Sequence, residues 1–309
     1  MIINVNAKRY TERFPVNPTP YISEPFIELH KDRVNWVVRL FEDQKKVSIG
    51  LAAGVCDGIL KSPISAPYGG FHFHNNNIRI GEIDRFIAQL IQYVTNQNLN
   101  TIQLILPPDI YCHSFNSKMV NSLLRNGFSM DIPEITNWVD LRKFRGEFSC
   151  RNSQHNYNQS LRYNLSFHYV VSEAERKDAY NVVCINRQRL GHLMHMTFDD
   201  FLEVDRLWPV DFFQIRSREG DILAAAIFYR GHPKIVQGIC WGDSERGRSF
   251  RAMNFCSLNL WNYYKKMDFD YIDLGTSSEY GIPNDGLIRF KEDINCNSAL
   301  RFSFRWSRR

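Results

Sequence analysis

At 309 residues and 44% hydrophobic, the chain is long enough for about two domains with proper cores, which excludes intrinsic disorder as its organising state. Its formal charge of +5 comes from basic residues spread along the chain, an arrangement that excludes a DNA-binding basic run yet suits an anionic small ligand. Met1–Arg9 has no apolar leader core, the apolar stretch Ile49–Val55 falls far short of the roughly 20 residues of a bilayer span, and the seven cysteines form no Cys-x-x-Cys pair, so a cytoplasmic protein with reduced thiols is expected.

After an N-terminal arm punctuated by Pro15, Pro18, Pro20 and Pro25, Trp36–Glu42 and Val47–Val55 read as two strands joined by a polar turn, Asp43–Lys46. A Pro/Gly segment, Ser62–Phe71, leads to a helix over Glu82–Asn96, where Ile83, Phe86, Ile87, Leu90, Ile91 and Val94 recur at helical spacing. Thr101–Leu106 is a short buried strand stopped by Pro107 and Pro108, Ser117–Asn126 is a helix stopped by Gly127, and Ile135–Leu141 is the strand expected to close the first half. The polar stretch Ser149–Tyr163 reads as a connection. It precedes the strand His168–Val171 and helices over Glu173–Leu190 and Thr197–Leu207, the second capped by the Thr197 hydroxyl.

The second half replays the order. Strands Phe212–Arg218 and Ile222–Tyr229 flank the turn Glu219–Asp221, followed by a strand at Lys234–Trp241 and a long helix at Phe250–Met267. Next come the strand Tyr271–Leu274, a short helix Gly286–Glu292 and a final strand from Ala299, in which Phe302, Phe304 and Trp306 alternate with Arg301, Ser303 and Arg305.

A strand hairpin followed by helix, strand, helix and strand, met twice, predicts an α/β (α+β) protein with domains at 1–148 and 149–309. That order resembles the GNAT acyltransferase fold, and its duplication resembles the FemAB-like (Fem-type) transferases, which are tandem GNAT-like domains, each a mixed central sheet flanked by helices. Three segments carry the likeness: Ser62–Phe71, similar to a Pro-aromatic-Gly-Gly turn; Leu161–Leu165 with Arg187, Arg189 and Asp199–Phe201, similar to an arginine-bearing segment that opens the second domain; and Tyr271–Gly275 with Gly286–Lys291, similar to closing Asp-x-Gly and Gly-x-x-x-Phe-Lys elements. The resemblance implies an N-acyltransferase moving an acyl or aminoacyl group, by direct attack, onto an amine of a sugar-, peptide- or nucleotide-linked acceptor in cell-envelope biosynthesis. The implied donor is acyl-CoA or aminoacyl-tRNA, which makes tRNA a possible partner. GNAT enzymes place a Gly-rich loop before the central helix to hold pyrophosphate, whereas Asp243–Arg251 has one glycine and three arginines, and Asn77–Glu82 in the first half matches less well. A rival follows from that departure: a non-catalytic tandem GNAT-like binding or assembly protein in cell-envelope or polysaccharide precursor synthesis.

Acyl transfer to an amine needs a base and donors for the developing oxyanion, so the carboxylates Asp243, Glu279 and Asp285 at strand ends are the catalytic candidates; each also fits a turn or cap role. Arg246, Gly247 and Arg248, with Arg289 and Lys291 on the short helix, are the candidates for holding the donor. The alternative is a solvated loop neutralised by Asp243 and Glu245, and an exposed helix face. Tyr68, Gly69, Gly70, Phe71 and, through the resemblance, Arg162 are the substrate-binding candidates, the glycines alternatively serving a turn. His72 with His74, and His192 with His195, have ligand-compatible spacing, but no third ligand is placed and Asn75–Asn77 reads as a turn, so no metal is expected. Cys240 and Cys256 lie in apolar segments where a buried thiol is ordinary. Chemistry is thus expected in residues 150–309, with the acceptor on the first half and one cleft shared by both.

Overall fold

The computed structural model describes residues 1–44, 47–74 and 77–308; Lys45 and Lys46 of the expected turn, and Asn75 and Asn76, lie outside the described residues. The Pro-rich arm supplies β1 (Ile2–Asn4), α1 (Ala7–Arg13) and α2 (Glu24–Leu29). β2 (Trp36–Glu42) and β3 (Ile49–Cys56) form the expected antiparallel pair, with Leu40 opposite Leu51. β4 (Ile59–Ser62) and β5 (His72–Phe73) both pair with β3, and neither is signalled by the sequence because both are too short to show a period. α3 (Ile80–Asn96) buries Ile83, Phe86, Ile87, Leu90 and Val94, the stripe that its sequence predicts. β6 (Thr101–Ile105) lies parallel to β4. α4 (Asp109–Arg125) starts at Asp109 rather than Ser117, with a break at Cys112, because its first turns bury Tyr111, Cys112 and Phe115 without the polar alternation by which a helix is read. β7 (Ser129–Met130) follows.

β8 (Glu134–Asp140) precedes α5 (Arg151–Ser160), a helix where a polar connection was expected. Then come β9 (Ser166–Val170), α6 (Glu173–Arg189) and α7 (Phe198–Asp205), whose Thr197 cap forms a reciprocal box with Asp200. β10 (Val210–Arg216), β11 (Ile222–Tyr229) and β12 (Ile235–Asp243) make an antiparallel meander. The long helix expected over Phe250–Met267 is α9 (Ala252–Lys266), and a short helix, α8 (Glu245–Ser249), precedes it where a loop was expected; the two are separated at Arg251, whose backbone is left-handed (φ 56°). β13 (Tyr271–Thr276), β14 (Ser278–Glu279), β15 (Ile282–Pro283), α10 (Asp285–Asp293), β16 (Asn297–Arg301) and β17 (Ser303–Ser307) complete the chain.

Among the described residues these strands build two mixed sheets, ordered β1-β2-β3-β4-β6-β17-β7, with β5 on β3, and β16-β8-β13-β12-β11-β10-β9, while β14 and β15 pair as a separate two-stranded sheet. The closing strands are exchanged relative to expectation. β8, expected to complete the first half, pairs with β13 (Val139 opposite Ile272), while β17 pairs with β6 (Phe304 opposite Leu104). Alternation in sequence says that a strand exists and which face is buried, but not which neighbour it takes. The compact units are consequently Met1–Ile135 with Ser278–Ile282 and Ala299–Arg309, and Thr136–Ser277 with Pro283–Ser298, in place of 1–148 and 149–309.

The second unit's core gathers Phe213, Phe228, Trp261 and Tyr264; Trp261 Nε1 donates to the Ile294 carbonyl (3.0 Å) and Tyr264 Oη to Asp211 Oδ2 (3.0 Å). No helix among the described residues is long and apolar enough to cross a membrane.

Candidate functional site

β12 and β13 run parallel and are paired at Ile235–Tyr271, Val236–Ile272 and Gln237–Asp273. Pairing stops there, although β12 continues to Asp243 and β13 to Thr276. On its other side β12 stays paired with β11 as far as Asp243–Ala224, with Ile239 intervening as an extra residue between Gly238 and Cys240. Such a bulge bends its strand. The strands therefore part at their C-terminal ends and leave the edge of β12 beyond Gln237 unclaimed by β13, in the position where open α/β sheets take ligands.

The turn after β12 is tightly built. Ser244 donates from its backbone N (2.9 Å) and its hydroxyl (3.2 Å) to the Leu223 carbonyl, and its Oγ accepts from Gly247 N (3.0 Å). A Cβ on Gly247 would stand 1.9 Å from the Leu223 oxygen, so the turn admits only glycine there. Arg246 is neutralised by Asp221 and Glu219 (3.3 Å) of the β10–β11 turn, rather than by Asp243 and Glu245. Its guanidinium also lies over Phe250 (5.2 Å), whose ring stacks flat on Tyr163 (4.3 Å between centroids), bringing the segment that carries Arg162 to this turn. Arg248 is exposed and has no ion-pair partner among the described residues.

Asp243 ends β12 in a bonded setting. Its Oδ1 accepts from Asn186 (3.1 Å) and Arg189 (3.1 Å) of α6, and its carbonyl from Asn186 (2.8 Å). On α10, Asn284 is the cap, accepting from Leu287 N (3.0 Å), and Asp285 stands exposed in the first turn, where the helix dipole favours a carboxylate. Phe290 meets Trp241 (5.8 Å), which sets α10 beside the end of β12, with Arg289 exposed. Lys291 departs from the exposed face considered for it: it is 2% exposed and its ammonium donates to the carbonyls of Leu274 (2.9 Å), Gly275 (3.0 Å) and Thr276 (3.0 Å), using all three protons. Burial pulls its pKa down to about 8, with Cys296 and Asp273 acting the other way.

The remaining candidates lie in the first unit. Glu279 is exposed on β14. Tyr68 and Phe71 are both 2% exposed; Tyr68 packs on Tyr21 (5.1 Å) and Tyr111 (5.3 Å), and Phe71 on Phe86 (6.1 Å), so both rings belong to the core rather than to an open wall. Gly69 passes so close to Ser62 and Pro63 that a Cβ would lie 2.3 Å from Ser62 Oγ, and Gly70 has φ +107°, so the pair meets the demands of a turn.

His72 uses both ring nitrogens, on Tyr10 Oη (2.9 Å) and Asn17 Oδ1 (3.0 Å), and among the described residues no three His, Cys, Asp or Glu side chains are placed to hold a metal ion. Four partners were not legible in advance: Asn186 and Arg189 for Asp243, and Glu219 and Asp221 for Arg246. They reach their targets from other elements, and no local spacing encodes such pairs.

No family model matches this sequence, and no curated protein matches it. Solved structures do resemble the chain in fold. A FemX structure covers 100% of this chain and 97% of its own at 11% identity and a TM-score of 0.71. L-PGS from Bacillus licheniformis covers 98% and 91% at 13% identity and 0.60, and a tandem GNAT protein from the clavulanic acid biosynthesis pathway covers 99% and 98% at 10% identity and 0.56. The fold of this chain is accordingly FemAB-like, a tandem of two GNAT-like domains.

Proposed function

We propose that the protein is an N-acyltransferase that moves an acyl or aminoacyl group from acyl-CoA or aminoacyl-tRNA onto an amine, in the second unit. The observation that carries this is the parting of β12 from β13, because it frees backbone N–H groups of β12 to hold the donor's carbonyl as negative charge develops on its oxygen. Arg248 and Arg289, both exposed on helices beside the C-terminal end of β12, offer charge to the donor's phosphates, and the turn around Gly247 sets the backbone in place. The attacking amine loses its proton to Asp285 or to water, since Asp243 is already bound by Arg189. No covalent enzyme intermediate is needed. The FemX, L-PGS and tandem GNAT likenesses support a transferase of this kind, and a role in making cell-envelope precursors accords with them.

A thermal-shift panel with acetyl-CoA, free CoA and charged tRNA tests the reading, because a ligand at 100 times its Kd adds about 2.7 kcal/mol of stability. One donor is expected to raise the midpoint, and Arg248→Ala to reduce that rise. A second reading, a non-catalytic binding or assembly protein, is favoured by Arg246 being held by two carboxylates and by the full use of the Lys291 protons. Absence of a shift with every donor selects it.

A further inference from the structure

The second sheet ends on β9, whose outer side pairs with no strand among the described residues. Which of its backbone groups stand free follows from the pairing further in. Arg230 N donates to the Pro209 carbonyl (3.0 Å), so the odd-numbered residues of β10 turn their backbone to β11 and the even-numbered ones to β9. Phe212, Gln214 and Arg216 therefore exchange bonds with Val170, His168 and Ser166, and the N–H and C=O groups of Phe167 and Tyr169 point outward from the edge. Sheet edges are ordinarily blunted by shortness, charge, proline or a bulge. The other three ends of the two large sheets comply: β1 has three residues, β7 has two, and β16 ends on Arg301. β9 has five residues in unbroken register with β10, and Asn164–Ser172 holds no lysine, arginine, aspartate, glutamate or proline. The edge is also open, with Tyr169 40% and Val171 64% exposed.

We infer that β9 is a homodimer interface, at which two copies of the chain pair this edge antiparallel about a two-fold axis through His168. A two-fold contact needs a strand complementary to itself. With the axis at His168, the middle of the strand, Phe167 of each copy faces Tyr169 of the other, and the outward N–H and C=O groups of each such pair bond one another. The Phe167 and Tyr169 rings, 5.1 and 5.5 Å from the Phe213 ring, lie on one face of the sheet and continue across the axis as one aromatic row. Charge agrees with this register: the antiparallel arrangement brings exposed Arg162, ahead of the strand, towards exposed Glu173, behind it, on the other copy. Two seven-stranded sheets thereby become one. The interface uses no residue of the β12–β13 opening and does not depend on the transfer reading.

Sedimentation velocity of the full chain over a range of concentrations tests the association, and cross-linking tests its register. The wild type is expected to dimerise. His168 is half-buried, and its side chain bonds Ser166 Oγ (2.8 Å), so its replacement leaves the core in place. His168→Lys sets two ammonium groups across the axis, where facing Cα atoms stand about 4.5 Å apart, and is expected to weaken the dimer roughly tenfold or more. His168→Cys brings two thiols within disulfide reach, so oxidised glutathione is expected to give a covalent dimer that the wild type does not form. Ser166→Cys faces Val170 and lies about 13 Å from its own copy, so it is expected to stay uncross-linked. Should His168→Lys be misfolded, the two cysteine variants decide. The proposal is overturned if the wild type is monomeric at every concentration, which leaves the edge to a strand of another protein. It is equally overturned if folded His168→Lys dimerises as tightly as the wild type, or if His168→Cys cross-links no better than Ser166→Cys.

Discussion

Lys291 has three protons and three buried carbonyls to give them to, so its side chain acts as a clip across the last turn of β13. Lys291→Met would strand those oxygens, and with each buried orphan costing about 1–3 kcal/mol the loss in urea unfolding is expected to be about 3 kcal/mol or more. Burial also sets the pH response. A lysine lowered to about 8 adds stability as pH rises from about 8 towards its unfolded value near 10.4, because over that range only the unfolded chain carries the proton. The buried thiols act oppositely. Burial pushes Cys240 and Cys296 up to about 12, and Cys112 and Cys256 higher still, so the unfolded chain loses these protons from about pH 8.5 while the native one keeps them. Four thiols outweigh one lysine, and unfolding free energy is expected to fall steeply between pH 9 and 11; Cys240→Ala should make that fall shallower. On the acid side, burial lowers His72 to about 3 and His232 to about 4, so stability should also decline as pH drops below about 6.5, where only the unfolded imidazoles take up protons. None of this was legible in sequence beyond the expectation of buried thiols, because a lysine reads as surface until its three acceptors are known.

At the scale of elements, legibility followed periodicity. The α3 stripe, the β2–β3 hairpin and the Thr197 cap were readable because each is written within a few neighbouring residues, and Thr197→Ala is expected to cost about 1 kcal/mol in thermal or urea unfolding. α5 was not readable: its sequence is polar almost throughout, with Ser153 and Ser160 as its buried positions, and it is held by packing on α9, as in the Tyr157–Phe255 stack (6.1 Å). The break at Arg251 was equally silent, since arginine seldom adopts a left-handed backbone. For the site, residue types were foreseen and settings were not. Gly247 is required by the Leu223 carbonyl, and Gly247→Ala is expected to cost about 1–3 kcal/mol and to weaken donor binding, measured together by unfolding and titration.

For the whole molecule the informative feature is the exchange of closing strands. A fragment of residues 1–148 lacks β17, an internal strand of the first sheet, and a fragment of 149–309 lacks β8, an internal strand of the second. Neither is expected to fold alone, and truncation after Phe302 should unfold the N-terminal unit while leaving the second sheet's strands present, as followed by proteolysis and circular dichroism. Residues far apart in sequence are thus direct partners: Ser307 sits opposite Thr101, and β17 separates β6 from β7.

That arrangement fixes the order of events on the ribosome. β6 is made early, but its neighbour arrives roughly 200 residues later, a wait of about 10–40 s at usual elongation rates. For that interval β6 presents a bare edge able to recruit other strands, and the first domain to be synthesised is the last to be finished. Nascent chains stalled before Ser303 should remain protease-sensitive throughout their N-terminal unit, and emergence of β17 should be the step that confers resistance.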